Sequence, residues 1–171
     1  MRLFIAINLS SAMKDALINI QNAFYDAGVR GNYTSEENLH LTLAFIGEYP
    51  DAESVMDSLA GVSFTPFTIS LDGIGSYGDL WWAGISHSPA LDAVVRRIRR
   101  ALAENGIPFD RKKFSPHITL LRKASVSSMP PVSTENVSAA VESISLMRSD
   151  RGKRGMIYTE AGALTAEGAS E

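Results

Sequence analysis

The 171-residue chain is 45% hydrophobic and 20% charged, proportions that allow a sizeable core and argue against a disordered polymer. Its net charge of −3 argues against coating by duplex nucleic acid, which depends on phosphate neutralisation, while leaving room for a local phosphate site or an RNA end. The absence of cysteine removes disulfide scaffolds, thiolate metal sites and cysteine nucleophiles, and no apolar run reaches signal-peptide or membrane-span length, which sets a cytoplasmic protein as the expectation.

In chain order, Leu3–Asn8 is a short apolar run without a breaker, as expected of a buried strand. Ser10 or Ser11 caps the helix that follows, with Met13, Leu17, Ile20 and Phe24 along one face and Gly28 as its stop. A polar connection over 31–38 leads to a strand over Leu39–Ile46, and Asp51–Leu59 predicts a shorter helix. Phe64–Leu71 alternates as a half-buried strand does, and Gly73, Gly75 and Gly78 predict a turn region before the apolar strand Leu80–Ile85. Ser88-Pro89 opens a second amphipathic helix carrying Leu91, Val94, Val95, Ile98 and Leu102, ended by Gly106-Ile107-Pro108. The strand Phe114–Arg122 comes next, then a Ser/Pro-rich loop over Ala124–Asn136. Val137–Met147 and Met156–Leu164 predict a final hairpin around the basic turn Arg148–Arg154, and the end of the chain from Ala166 is expected to fray.

Two of these strands carry the same short pattern, His40-Leu-Thr-Leu and His117-Ile-Thr-Leu, spaced by 117 − 40 = 77 residues. Residues two apart share one face of a strand, so each copy presents an imidazole beside a hydroxyl and buries two aliphatics. The same shift places Leu3 on Leu80, Ala6 on Ala83, Ser11 on Ser88 and Asp15-Ala16 on Asp92-Ala93. Each half therefore runs strand, Ser-capped helix, His-x-Thr strand, which implies one domain of two duplicated lobes. The expected fold is α+β and bilobed: two pseudo-symmetric lobes, each with a small, mostly antiparallel sheet and outer helices, around a shared groove.

Two neutral imidazoles flanking a phosphate can divide proton transfer, one accepting from water and the other donating to the departing oxygen, while the Thr hydroxyls bind non-bridging oxygens. No metal or other cofactor is required, and two His without a nearby carboxylate make a poor zinc site. The bland alternative for either motif alone is a packed His–Thr pair in a strand.

The paired motifs resemble those of the two-histidine (2H) phosphoesterases, and within them the RNA 2′,3′-cyclic phosphodiesterases, also called the 2′-5′ RNA ligase family. The likeness includes Arg2-Leu3-Phe4-Ile5-Ala6-Ile7, Glu37 to Leu43 with Phe45-Ile46-Gly47, Phe114-x-Pro116 to Leu120 with Arg122, and Leu146-x-x-Ser149 with Tyr158. It implies hydrolysis of RNA 2′,3′-cyclic phosphate ends to 2′-phosphates, with reversible 2′-5′ joining as a related activity. On this chain it makes His117 the proton acceptor, His40 the proton donor, and Thr42 and Thr119 the phosphate-binding residues. The partner implied is an RNA end or a small nucleotide bearing a cyclic phosphate, met by a monomer. Ala44 and Tyr33 depart from the family, where Arg and Trp are common. Alternatives are a phosphodiesterase acting on 2′-5′ oligonucleotides or another small cyclic phosphate, or a non-catalytic RNA-end binding module.

Secondary candidates carry competing structural roles. Arg122 is a candidate substrate contact or a charged strand end: it lies five residues after His117, on the opposite face of a regular strand, and reaches the phosphate if the strand bends or ends there. Phe114 offers a stacking ring or a core side chain. Arg96, Arg97, Arg99 and Arg100 are expected on a solvated helix face, and Arg148, Arg151, Lys153 and Arg154 on a turn able to overhang the groove.

Overall fold

The computed structural model describes residues 1–168. It is built on β1 (Arg2–Asn8), α1 (Ser11–Asp26), β2 (Asn32–Tyr33), β3 (His40–Glu48), α2 (Ala52–Leu59), β4 (Phe67–Tyr77), β5 (Leu80–Ile85), α3 (Pro89–Glu104), β6 (His117–Arg122), β7 (Ser138–Val141), β8 (Ser143–Gly152) and β9 (Gly155–Thr165). The strands form two sheets, ordered β3-β1-β8-β9 and β2-β6-β5-β4-β7. Every pairing described is antiparallel. The fold is α+β with two lobes.

Alternation along β1 explains how one sheet serves both core and groove. Leu3, Ile5 and Ile7 enter the main core, whereas Phe4 and Ala6 form a smaller cluster with Met147 on the opposite face. The helices use matching stripes. Met13, Ala16, Leu17, Ile20 and Phe24 of α1 correspond to Leu91, Val94, Val95, Ile98 and Leu102 of α3, and all ten are buried. Ser10 caps α1 and Ser88 caps α3 through side-chain acceptance of the Met13 and Leu91 amides.

The equivalence differs from the single 77-residue shift in a physically informative way. His40 pairs with Asn8 and His117 with Gly84, so the neighbouring strands correspond at 84 − 8 = 76. The helix caps correspond at 88 − 10 = 78. The identities Leu3/Leu80 and Ala6/Ala83 therefore join residues on opposite faces, since one step along a strand reverses the side chain. The faces agree at 76: Ile5 and Trp81 are core, while Phe4 and Leu80 line the groove.

Both motif strands also carry an extra residue. Ala6 pairs with Thr42 but Ile5 with Ala44, and Trp82 pairs with Thr119 but Trp81 with Leu121. These are bulges at Leu43 and Leu120, and each reverses the alternation beyond it. Leu43-Ala44 and Leu120-Leu121 are consequently buried as consecutive pairs.

The halves also exchange edges. β2, from the first half, pairs with β6 in the second-half sheet, and the Asp110 amide donates to the Phe45 carbonyl of β3 at 2.8 Å. Phe24 of α1 meets Trp81 of β5 edge-on, 4.9 Å between centroids.

Several boundaries differ from the sequence expectations. β4 continues through Gly73 and Gly75, because a bulge with Gly73 at φ 71° keeps the strand paired until the turn at Gly78. β6 begins at His117, not Phe114, since Pro116 has no amide to give a ladder. The basic turn contracts to Lys153-Arg154, because β8 and β9 pair out to Gly152 and Gly155. Ala166 is buried and its amide bonds the Glu142 carbonyl, so the expected fraying does not begin there; 169–171 lie outside the described residues.

Candidate active site

The unbulged starts of β3 and β6 bring both motifs to one cavity of about 630 Å³, lined by His40, Thr42, His117, Thr119 and Arg122 among others. Arg2, Phe4, Phe45, Leu80, Ser149, Arg151 and Tyr158 complete much of its wall.

Each imidazole is fixed from behind by the carbonyl two residues upstream. His40 Nδ1 donates to the Asn38 carbonyl at 2.7 Å, and His117 Nδ1 to the Ser115 carbonyl at 2.7 Å. A carbonyl accepts only, so in the neutral imidazoles the proton sits on Nδ1 and Nε2 is the free base. The Thr42 hydroxyl donates to His40 Nε2 at 2.8 Å. Aromatic rings hold the orientation: Phe4 and Tyr158 lie 4.9 and 5.3 Å from the His40 ring centroid. Tyr77 and Trp82 lie 5.4 and 6.3 Å from that of His117.

Burial holds His40 below the ordinary histidine value, opposed by its bond to the Asn38 carbonyl; the positive charges of Arg122 and His117 add to the lowering. The resting site thus favours a neutral His40. An anionic phosphate entering between these groups acts the other way, compensating the Arg122 charge and stabilising a protonated imidazole.

Arg122 is on the groove side, correcting the face expected from a regular strand. The Leu120 bulge supplies the reason: one added residue turns five steps into an even change of face. The equivalent bulge in β3 gives Phe45 the same outlook, and Ala44 is buried at the kink. Of the two roles expected for it, Phe114 takes the core one. It packs against the main core with the Arg99 guanidinium 5.8 Å from its ring centroid, and it is not among the cavity's lining residues.

Arg99 itself leaves the expected solvated face and reaches the carbonyls of Lys112 and Leu43, while Arg96, Arg97 and Arg100 are exposed. The basic hairpin does border the groove. Arg151 lines the main cavity; Lys153 and Arg154 line an adjoining one of about 870 Å³, which shares Thr34, Asn38, Arg122, Met156 and Tyr158 with it. Arg148 pairs with Asp150 at 3.0 Å instead. Tyr33 lines the adjoining cavity while its hydroxyl donates to the Val29 carbonyl at 2.9 Å. His87 is exposed, 3.9 Å from Asp92.

The sequence reading missed Arg2, Trp82 and Tyr77 as neighbours of the site. Alternation in β1 was the available signal for Arg2, since Leu3, Ile5 and Ile7 demand the other face. Among the described residues, no group of three or more His, Asp or Glu is placed to hold a metal ion, and no helix is long and apolar enough to cross a membrane.

Residues 15–153 match the model of the 2′-5′ RNA ligase superfamily. The chain is 33% identical over 163 residues to an Escherichia coli K12 protein described as RNA 2′,3′-cyclic phosphodiesterase, with 92% of both chains covered. A Geobacillus stearothermophilus protein of the same description is 31% identical over 129 residues, which cover 70% of this chain and 41% of the relative. Among solved structures, E. coli LigT complexed with 3′-AMP superposes with a TM-score of 0.86 at 30% identity, covering 97% of this chain and 98% of LigT. A Thermus thermophilus structure gives 0.84 at 28% identity over 99% of this chain and 100% of its own. With the paired His-x-Thr strands facing one groove, these matches establish that the chain belongs to the 2′-5′ RNA ligase superfamily.

Proposed function

We propose that this protein hydrolyses RNA 2′,3′-cyclic phosphate ends to 2′-phosphates by metal-independent acid/base chemistry, as a monomer whose one domain consists of two duplicated lobes. The observation that carries the reading is the paired imidazole arrangement. Each Nδ1–H is spent on a backbone carbonyl, which leaves Nε2 as the basic nitrogen of each ring at a shared cavity; the Thr42 hydroxyl that bonds His40 Nε2 in the free site turns to the phosphate when substrate enters. The relatives described as RNA 2′,3′-cyclic phosphodiesterases support the substrate class. One copy contains both histidines, so no second chain is needed.

In this mechanism a water oxygen forms a bond to phosphorus as the bond from phosphorus to O3′ breaks. His117 Nε2 takes the water's proton, and protonated His40 Nε2 gives its proton to O3′. Thr42 and Thr119 donate hydrogen bonds to the non-bridging oxygens, and Arg122, with Arg2 and Arg151 on the same cavity wall, opposes the phosphate's negative charge. The substrate raises the proton affinity of His40, so the donor is charged when the phosphate is in place.

The direct test incubates RNA ending in a 2′,3′-cyclic phosphate with the folded protein in EDTA. Conversion to the 2′-phosphate is expected. No conversion overturns the reading, binding without conversion favours an RNA-end binding module, and conversion abolished by EDTA overturns the metal-free mechanism.

A further inference from the structure

Two polar side chains outside the cavity, Gln21 buried and Arg99 half-buried, occupy equivalent positions in the two halves and do the same thing. Gln21 of α1 and Arg99 of α3 are related by 99 − 21 = 78, the offset of the helices. Gln21 is 7% exposed, and its Nε2 donates to the Thr34 and Leu120 carbonyls, both at 2.9 Å. Arg99 donates from Nη1 to the Lys112 carbonyl at 2.7 Å and from Nη2 to the Leu43 carbonyl at 3.4 Å. The acceptors are also equivalent, Thr34 with Lys112 at 112 − 34 = 78 and Leu43 with Leu120 at 120 − 43 = 77.

The pattern is reciprocal. Each helix reaches one carbonyl on its own half's approach to the motif and one on the other half's motif strand. That second carbonyl belongs to the bulge residue, where an extra residue interrupts the ladder; the Leu120 carbonyl accepts the Thr34 amide as well, at 3.0 Å. It lies three residues beyond the motif histidine in both strands. Neither Gln21 nor Arg99 lines the cavity, so neither meets a substrate there.

We propose that Gln21 and Arg99 are paired positioning residues that lock the two His-x-Thr strands against each other and thereby fix the separation and aim of His40 and His117. The chemistry requires both Nε2 atoms in place around one phosphorus, so a small relative shift of β3 and β6 removes acid/base cooperation while the fold survives. Gln and Arg share the necessary feature: two N–H donors on a terminus that can span two carbonyls. The chemical difference between them shows that bridging, not charge, is the common property.

The assignment deepens the cyclic-phosphodiesterase reading and rests on it for its kinetic arm only. Gln21→Met and Arg99→Met keep much of the side-chain length and remove the donors. At a temperature where circular dichroism shows both variants folded, each should lower kcat on the cyclic-phosphate RNA at least tenfold, with KM changed less than threefold. Arg99→Lys, which keeps a donor, should return kcat to within threefold of the parent. Independently of turnover, ¹H–¹⁵N spectra of the imidazoles should show displaced His40 and His117 resonances in both Met variants. A parent protein that does not hydrolyse the substrate defeats the activity reading, and the imidazole spectra then decide the positioning role. Folded Met variants with kcat within twofold and unmoved imidazole resonances overturn the proposal, even if they melt earlier.

Discussion

His40 and His117 share a tautomer but not a setting: the Thr42 hydroxyl bonds His40 Nε2, whereas among the described residues Thr119 makes no such bond to His117. As a proton-transfer pair, each should be indispensable. His40→Ala and His117→Ala are expected to lower turnover by a factor on the order of 10² or more without unfolding the chain, and Thr42→Ala and Thr119→Ala by less, measured as kcat on cyclic-phosphate RNA. Arg122 gives a sharper test. Its charge disfavours the protonated His40 in the free protein, so Arg122→Met should move the alkaline limb of kcat/KM to higher pH while raising KM. The pH profile reports macroscopic values of the pair, and the direction of the limb is what is checked. A limb that stays put or moves down contradicts the electrostatic coupling. Counting residues from His117 left Arg122 undecided between a substrate contact and a charged strand end. The motif and its facing hydroxyl were legible in the sequence because they precede the bulge; Arg122 was not, because it follows it.

At the scale of strands, the bulges and the Gly-rich stretch of β4 show where periodicity ceases to be a guide. Glycines at 73, 75 and 78 signal a turn by composition, but only Gly78 makes one. Gly75 is there for closeness: a Cβ at this position would collide with the indole of Trp82, which itself borders His117. Gly75→Ala should therefore displace the indole and disturb the surroundings of His117 from a position outside the cavity wall. A loss of about 1–3 kcal/mol in denaturant unfolding is expected, typical of overpacking, together with reduced kcat. An alanine variant with parental stability and turnover would mean that Trp82 moves freely. The helices, by contrast, were legible almost to the residue, since capping serines and apolar stripes are local signals that distant contacts do not alter.

Across the whole molecule, a protonation equilibrium links the site to stability. His40 has a folded-state value below the ordinary 6.5, so the native state resists a proton that the unfolded chain accepts. Its contribution to stability is present above 6.5 and is lost as the pH falls through and below that value. Urea midpoints measured between pH 7.5 and 5 should decline, and His40→Asn should flatten part of that decline; an equal slope in the variant would remove His40 as a source. The repeat was visible in the sequence through two strong motifs, yet its internal alignment was not. Identity favours one constant shift, whereas burial and pairing require 76 in the first strand, 78 in the helix and 77 in the motif strand. Only a partner strand reveals which face a residue occupies.

The exchange of edges between halves carries a consequence for autonomy. β2 completes the sheet of the second half, and Asp110 docks on β3 of the first, so each half finishes the other's motif strand. A half separated from its companion would expose an open strand edge and would carry one motif histidine. Two identical halves meeting in this manner would satisfy each other reciprocally, the self-complementary relation of a two-fold dimer, and would bring two histidines to the axis. In this architecture the groove is a seam between mutually dependent parts, and dividing the chain at its midpoint would divide the reaction as well.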